Sequence, residues 1–428
     1  MLNRLDLTGV APAEIAGRLP RPVVDGDEPV DVVREIIASV RGRGDDALRE
    51  LADRFDGGAP PAFRVSHEQI DAAWHRVDGG LRDALQEAAS SIEAFHRTQR
   101  HGPERHEHRG MVVEGIQQPV RRAGCYVPGG RASYPSTVLM TAVPARVAGV
   151  DELCLCVPPA GGGQVADVTL AAARIAGVDE VYAVGGAQAI AAMAYGTESI
   201  PAVDVIAGPG NVFVAIAKRE VAGDVGVAAA FAGPSEIVVV ADPSAPVDIA
   251  AIDVVVQAEH GPGGLAWLVT PDASVADAVT RAVADITAAS PRRDDIEATL
   301  ADGGYAVVVD DDDAAMAVAN AIAPEHLQLM VEDPRRLVGA VRNAGAVFLG
   351  PLSPASVGDY IAGPSHVLPT NGTARFAGAL TVADFCKDIH VVTLDQEAID
   401  DVAGAVATIA DAEGLAAHAE SVRMRTSR

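Results

Sequence analysis

The sequence predicts an α/β protein with two parallel-sheet domains, and three observations carry that expectation. Hydrophobic residues make up 49 % of the chain and aromatics only 4 %, so the cores must be filled by Ala, Val, Leu and Ile. These residues recur in short runs, LCLCV at 153–157, VYAV at 181–184, IVVV at 237–240 and YAVVV at 305–309. Strands buried on both faces of a parallel sheet read as aliphatic runs of this kind. The third observation is an internal repeat: ARVAGVDEL at 145–153 returns as ARIAGVDEV at 173–181, 28 residues later. Each copy ends a helix and opens a strand, and that period fits successive right-handed βαβ crossovers.

The elements follow in order. The pattern VREIIASVRGRGDDALRELADRF, ending at Phe55, is amphipathic and helical. Ser66-His67-Glu68-Gln69 has the form of a capping box and opens a helical stretch to Arg100. His96, His101, His106 and His108 fall in a charged stretch with Gly and Pro, which reads as a solvated connection rather than a metal site. From Met111 the chain turns aliphatic: two repeat units, then a strand at VDVIA (203–207) and a helix at VFVAIAKREV (212–221). A second α/β stretch begins near Pro234, with strand IVVVA, helix 246–260, strand AWLVT, helix 275–289, strand YAVVV, helix 313–322 and strand AVFLG. The helical N-terminal segment could pack on either sheet. Beyond Thr381 a short strand plus helices is expected, too small for a domain of its own.

Composition excludes several roles. The 428 residues suffice for two or more cores. Lys and Arg total 33 against 59 Asp and Glu, a net charge of −26, which repels nucleic acid and anionic membranes over most of the surface. No apolar run approaches the roughly 20 residues needed to cross a bilayer, and MLNRLDLTGV lacks a signal peptide's apolar stretch, so a cytoplasmic enzyme is expected. Cys125, Cys154, Cys156 and Cys386 lack zinc-site spacing and read as core residues in a reducing compartment.

Two glycine-rich turns, Gly185-Gly186-Ala187-Gln188 and Gly208-Pro209-Gly210-Asn211, each join a strand to a helix. They place backbone N–H groups where a pyrophosphate could bind, although Phe213 stands where the dinucleotide fingerprint needs its third Gly, and glycine is common in such turns for steric reasons. In Gln257-Ala258-Glu259-His260, Gln257 and His260 share a face of a helix's last turn. They read equally as a capping pair or as half a metal site. In Ala323-Pro324-Glu325-His326, Pro324 in a first helical turn would put Glu325 and His326 at a helix N-terminus, whose dipole disfavours imidazolium and keeps His326 a usable base. Gly358-Asp359-Tyr360 and Gly363-Pro364-Ser365-His366 suggest a polar loop. Glu413 and His418 would lie about 140° apart on a regular helix, so they share a site only if Gly414 breaks it. One Gln, one Asp and two His could complete a mixed N/O zinc site.

Taken together, AGCYVPGGRASYPSTVLM (123–140), VGGAQAIAAMAYGTE (184–198), AGPGN (207–211), AGPSE (232–236), QAEHGP (257–262), APEHLQL (323–329), SVGDYIAGPSHVLPT (356–370) and EGLAAH (413–418) closely resemble the histidinol dehydrogenase family. The resemblance runs from about residue 110 to 425 and is loose before that. It implies two Rossmann-like, aldehyde-dehydrogenase-like domains and oxidation of L-histidinol to L-histidine, the last step of histidine biosynthesis, through an enzyme-held aldehyde with two hydrides passed to NAD. It implies one zinc ion per subunit on Gln257, His260, Asp359 and His418, with Glu325 and His326 as the acid/base pair. His326 would take the alcohol proton and Glu325 would activate water. Substrate would meet Ser235, Gln257, His260, His326, Asp359, His366, Glu413 and His418, and NAD would meet Tyr126, Gln188 and Asn211.

The resemblance also implies a homodimer in which the C-terminal segment reaches the partner's site. On that reading the chain divides into an N-terminal segment (1–25), a first α/β domain (26–122 with 234–380), a second (123–233) and a C-terminal segment (381–428). GPSH at 363–366 departs from the Gly-Ser-Asn-His of many relatives but keeps His366. The alternatives are a paralogue acting on another small alcohol and a zinc hydrolase, which would leave the two glycine-rich turns without a use.

Overall fold

The computed structural model describes residues 2–20, 29–129, 133–160, 163–228, 233, 235–261 and 263–427. Residues 130–132 of the first glycine-bearing motif, Ala232 and Pro234 of AGPSE, and Pro262 of QAEHGP lie outside them. The chain opens with strand β1 (Asn3–Asp6) and a single turn, α1 (Pro12–Ile15). Helices α2 (Val30–Arg43) and α3 (Asp45–Phe55) follow, split at Gly44. That residue takes φ +53, and a Cβ there would lie 2.3 Å from the Glu198 carboxylate, which accepts from the Asp45 N–H. The expected capping box opens α4 (His67–Arg76), but the helical stretch is broken at Asp78, whose carboxylate caps α5 (Gly79–Arg97).

Strands β2 (Glu104–His108) and β3 (Met111–Pro119) form a hairpin where the sequence suggested a solvated connection. Next come β4 (Arg122–Tyr126), α6 (Pro135–Ala148), β5 (Glu152–Val157), α7 (Asp167–Ile175), β6 (Glu180–Ala183), α8 (Gly186–Tyr195), β7 (Val205–Ala207), α9 (Val212–Val221) and β8 (Gly226–Val227). These strands make a parallel sheet in the order β6-β5-β4-β7-β8. The 28-residue repeat becomes the α6–β5 and α7–β6 units, each turned by a left-handed glycine, Gly149 and Gly177.

The second half runs β9 (Glu236–Ala241), α10 (Val247–Ala258), β10 (Leu265–Thr270), α11 (Ala273–Ala289), α12 (Arg293–Gly303), β11 (Gly304–Val308), α13 (Asp312–Ile322), β12 (His326–Met330), β13 (Ala346–Leu349) and α14 (Ala355–Tyr360). Its parallel sheet has the order β1-β11-β10-β9-β12-β13. The N-terminal segment thus supplies an edge strand rather than helix alone. Strand β14 (Cys386–Thr393) pairs antiparallel with β3, and α15 (Gln396–Ala412) and α16 (Ala416–Arg423) end the chain.

One expected grouping is corrected. Residues 26–122 do not go with 234–380: Val33, Ile36, Val40 and Leu48 of α2 and α3 pack in one core with β4–β8 and their helices, and Ile70, Leu85 and Ile92 of α4 and α5 in the other. The amphipathic faces of these helices follow the nearest aliphatic layer, which a periodicity cannot identify. Cys154 and Cys156 share one buried face of β5, as their spacing suggested. At the sheet's N-terminal end the nearly buried Arg122 joins Glu152 (2.8 Å) and Glu180, and Tyr182 donates to Glu180 (3.0 Å). No helix of the described residues is long and apolar enough to cross a membrane.

Candidate active site

The site is built on two neighbouring parallel strands, β9 and β12, at their N-terminal ends. Their register sets Ile237 beside His326, so Glu236 and Glu325 lie side by side one residue earlier. Alternation then sends His326 and Gln328 to one face of the sheet and Leu327 and Leu329 to the other. The motif Ala323-Pro324-Glu325-His326 is not a helix start. Helix α13 ends at Ile322, Ala323 turns the chain at φ +54, and Pro324 leads into β12. A non-glycine residue at positive φ is strained and must be held there by its surroundings. A proline just past a helix C-terminus is as natural as one at its first turn, so the residue pattern alone does not choose between them.

That correction changes the electrostatics of His326. His326 opens a strand and not a helix, so the N-terminal dipole expected to keep it neutral is not there. Burial by itself would lower its pKa, but Nε2 lies 3.2 Å from Asp359 Oδ1 and Nδ1 lies 3.6 Å from Glu325 Oε2. The bond to Asp359 and the two carboxylate charges outweigh burial, and the pKa is raised above its ordinary value. The ring stacks on Phe348 with centroids 5.9 Å apart. Two hydrogen-bond patterns suit its two protonation states. The neutral ring with its proton on Nε2 donates to Asp359 and accepts at Nδ1 from Gln257 Nε2, 3.3 Å away. The protonated ring can instead donate from Nδ1 to the Glu236 carbonyl, also 3.3 Å away.

Glu325 is buried, accepts from the Glu236 N–H at 3.1 Å and from the Ser235 side chain, and burial pushes its pKa up to about 7. Desolvation of a carboxyl is the usual way to make a base that works near neutrality. Asp359 sits in α14, a short helix rather than the loop expected. Burial would raise its pKa, but the His326 bond and the His326, His366 and His260 imidazoles hold it below the ordinary value. His366 Nδ1 donates to the Asp359 carbonyl (2.8 Å), and its Nε2 meets Thr137 Oγ1 (3.1 Å); burial lowers its pKa. Ser365 of GPSH is buried and donates to the Met140 carbonyl of α6 (3.0 Å), fixing this loop on the other half of the protein.

Of the expected metal ligands, Gln257, His260 and Asp359 gather here. The Gln257 side chain reaches His326 rather than capping α10, and its buried Oε1 has no partner. His260 is exposed just beyond the helix, close enough to act on the Asp359 charge. An orphaned amide oxygen, an imidazole and a carboxylate form a mixed N/O donor set of the kind that suits zinc. His418 does not join them. Gly414, at φ +75, breaks the helix as required, but Glu413 and His418 are exposed on the α15–α16 pair. The described residues hold no group of three or more His, Cys, Asp or Glu placed to bind a metal.

The expected cofactor residues collect at the C-terminal edge of the other sheet. Strand order reverses between β4 and β7, the switch point where α/β sheets bind ligands. Tyr126 ends β4 and its hydroxyl accepts from the Gly186 N–H (3.0 Å); burial raises its pKa to about 12. Gln188 lies in the first turn of α8, buried. Asn211 caps α9 through Oδ1 to the Val214 N–H (3.1 Å). Gly208 has φ +116, and a Cβ would strike the Tyr126 carbonyl at 2.0 Å, so this turn needs glycine for sterics whatever it binds. The contact of α6 with His366 and Ser365 brings this edge against the His326 cluster. Sequence reading missed Glu236, Phe348 and Thr137; a glutamate opening the aliphatic run IVVVA was the one available signal.

Comparison with known proteins agrees with this geometry. A family model described as histidinol dehydrogenase matches residues 19–426. The chain is 49 % identical to a histidinol dehydrogenase of Parasynechococcus marenigrum over 92 % of this chain and 90 % of that one. It is 45 % identical to one of Methanothermobacter thermautotrophicus over 96 % of each. A crystal structure of histidinol dehydrogenase from Elizabethkingia anophelis superposes with a TM-score of 0.94 at 33 % identity, covering 99 % of this chain and 98 % of that one. The chain belongs to the histidinol dehydrogenase family.

Proposed function

We propose that the protein oxidises L-histidinol to L-histidine, the last step of histidine biosynthesis, with zinc and NAD. The observation that carries this reading is the Glu325–His326–Asp359 cluster between two sheets, beside Gln257 and facing the switch-point edge. When bound, zinc would orient the substrate through its amine and imidazole nitrogens, and NAD would accept hydride. Gln257, His260 and Asp359 would hold the metal, with His418 supplied by a second subunit. Tyr126, Gln188 and Asn211 would contact NAD.

His326 takes the alcohol proton, and its bonds to Asp359 and the Glu236 carbonyl stabilise the imidazolium that results. Glu325, desolvated and aligned by Ser235 and the Glu236 N–H, then removes a proton from the water that adds to the aldehyde. Ser235, His366 and Glu413 would complete the substrate pocket. A homodimer supplying Glu413 and His418 across its interface accords with the exposed Ile409, Leu415, Val392 and Met424 of the C-terminal segment. Purified protein given L-histidinol and NAD should form two NADH per histidinol and lose this on chelation. Turnover of another alcohol with none of histidinol would refute the substrate assignment.

A further inference from the structure

The Glu236 backbone serves the reaction described above, but its side chain has no part in it, although the Glu325 charge acts on it. It opens β9 beside the residue preceding β12; its side chain lies with Leu265 and Trp267, whereas the Glu325 carboxylate stands 3.6 Å from His326. Glu236 is 2 % exposed, and its carboxylate accepts from the N–H groups of Asn371 and Gly372. Its other oxygen, Oε2, is buried without a partner. Glu236 also lines a cavity of about 120 Å³ with Trp267, whose Nε1 is likewise buried and unpartnered. Among the described residues, the other walls, including Leu19, Leu265, Ala321 and Ile322, carry no charge. Such a cavity has room for water able to accept from both the indole N–H and a protonated Oε2.

We propose that Glu236 is a positioning residue that carries the proton of a carboxyl pair, so that its neighbour Glu325 is the ionised member facing the substrate. The assignment rests on the role given to Glu325 above. Two adjacent buried carboxyls do not both ionise readily, and whichever has the drier surroundings keeps the proton longer. Glu236 is that member: its Oε2 has no partner and opens on an uncharged cavity, whereas Glu325 meets the His326 ring, the Glu236 N–H and the Ser235 side chain. Burial, then the Glu325 charge, push the Glu236 pKa up to about 8. Backbone N–H groups of Asn371, Gly372 and Glu325 act in the opposite direction.

The test compares the wild-type holoenzyme with E236Q, a permanently neutral isostere, by the pH–rate profile for histidinal oxidation and by thermal midpoint against pH. A raised carboxyl pKa removes stability as pH climbs through it. The wild-type midpoint should therefore fall between about pH 4.5 and 8 more steeply than that of E236Q, while the acid limb of the rate profile stays in place. An E236Q acid limb displaced downward by about a unit or more would show Glu236 to be the ionised member and overturn the proposal. Superimposable midpoint curves would overturn it too. E325Q separates the two layers: normal histidinal oxidation by E325Q would overturn the base role beneath the proposal, while the E236Q midpoints report on the pair itself.

Discussion

Replacing Glu325 with Gln keeps the shape of the site and removes one ionisable group. The amide oxygen can still accept from the Glu236 N–H, now bonded at 3.1 Å, and from Ser235. What is lost is the base of the proposed mechanism. A positioned general base contributes about 10²- to 10⁴-fold, so histidinal oxidation should slow by that factor, with a smaller effect on the first hydride transfer, which the proposal gives to His326. Stability should move the other way. The Glu325 pKa is raised from 4.5 to about 7, so the folded protein binds this proton more tightly than the unfolded chain does. The carboxyl's contribution is fully present below about pH 4.5 and is lost as pH rises through about 7. At about 1.4 kcal/mol per pKa unit, E325Q should gain about 3 kcal/mol over the wild type at pH 8, and little at pH 5. Urea unfolding at both pH values and stopped-flow NADH formation from histidinal measure the two effects. Wild-type histidinal oxidation, or lower stability than wild type at pH 8, would refute the argument.

Other perturbations test other parts. Arg122→Ala strands the Glu180 carboxylate that Arg122 now neutralises, and should cost about 3–5 kcal/mol in thermal or urea unfolding; a loss below about 1 kcal/mol would mean the network is already well solvated. Asp359→Asn removes the charge that holds His326 raised, so the His326 ionisation should shift downward in the pH profile of histidinol oxidation, together with a loss of bound zinc measured by metal analysis. Mixing subunits carrying His326→Asn with subunits carrying His418→Asn should restore about one quarter of wild-type activity, because random pairing makes half the dimers mixed and each of those has one intact shared site. If His418 serves its own chain, no site is intact and activity stays absent.

The elements most legible in the sequence were those whose signal is local. The 28-residue repeat, the Ser66–Gln69 capping box and the break at Gly414 each depend on neighbours a few residues away, and each appears as read. Strand β12 was illegible because His326-Leu327-Gln328-Leu329-Met330 is short and buried on both faces, and a proline before it suits either a helix start or a helix exit. The packing of α2–α5 was open for a related reason: an amphipathic stripe says that a helix is buried, not on which sheet.

The site divides along the same line. Gln257, Glu325, His326 and Asp359 were findable by residue type and motif, but not the bonds that set their chemistry. His326 is raised rather than held neutral because Asp359, 33 residues away, and the Glu236 carbonyl, 90 residues away, meet its two nitrogens. Glu236 and Glu325 are 89 residues apart and adjacent only because β9 and β12 are neighbours in the sheet. Strand order is the quantity that sets these polar residues side by side, and no periodicity or spacing encodes it.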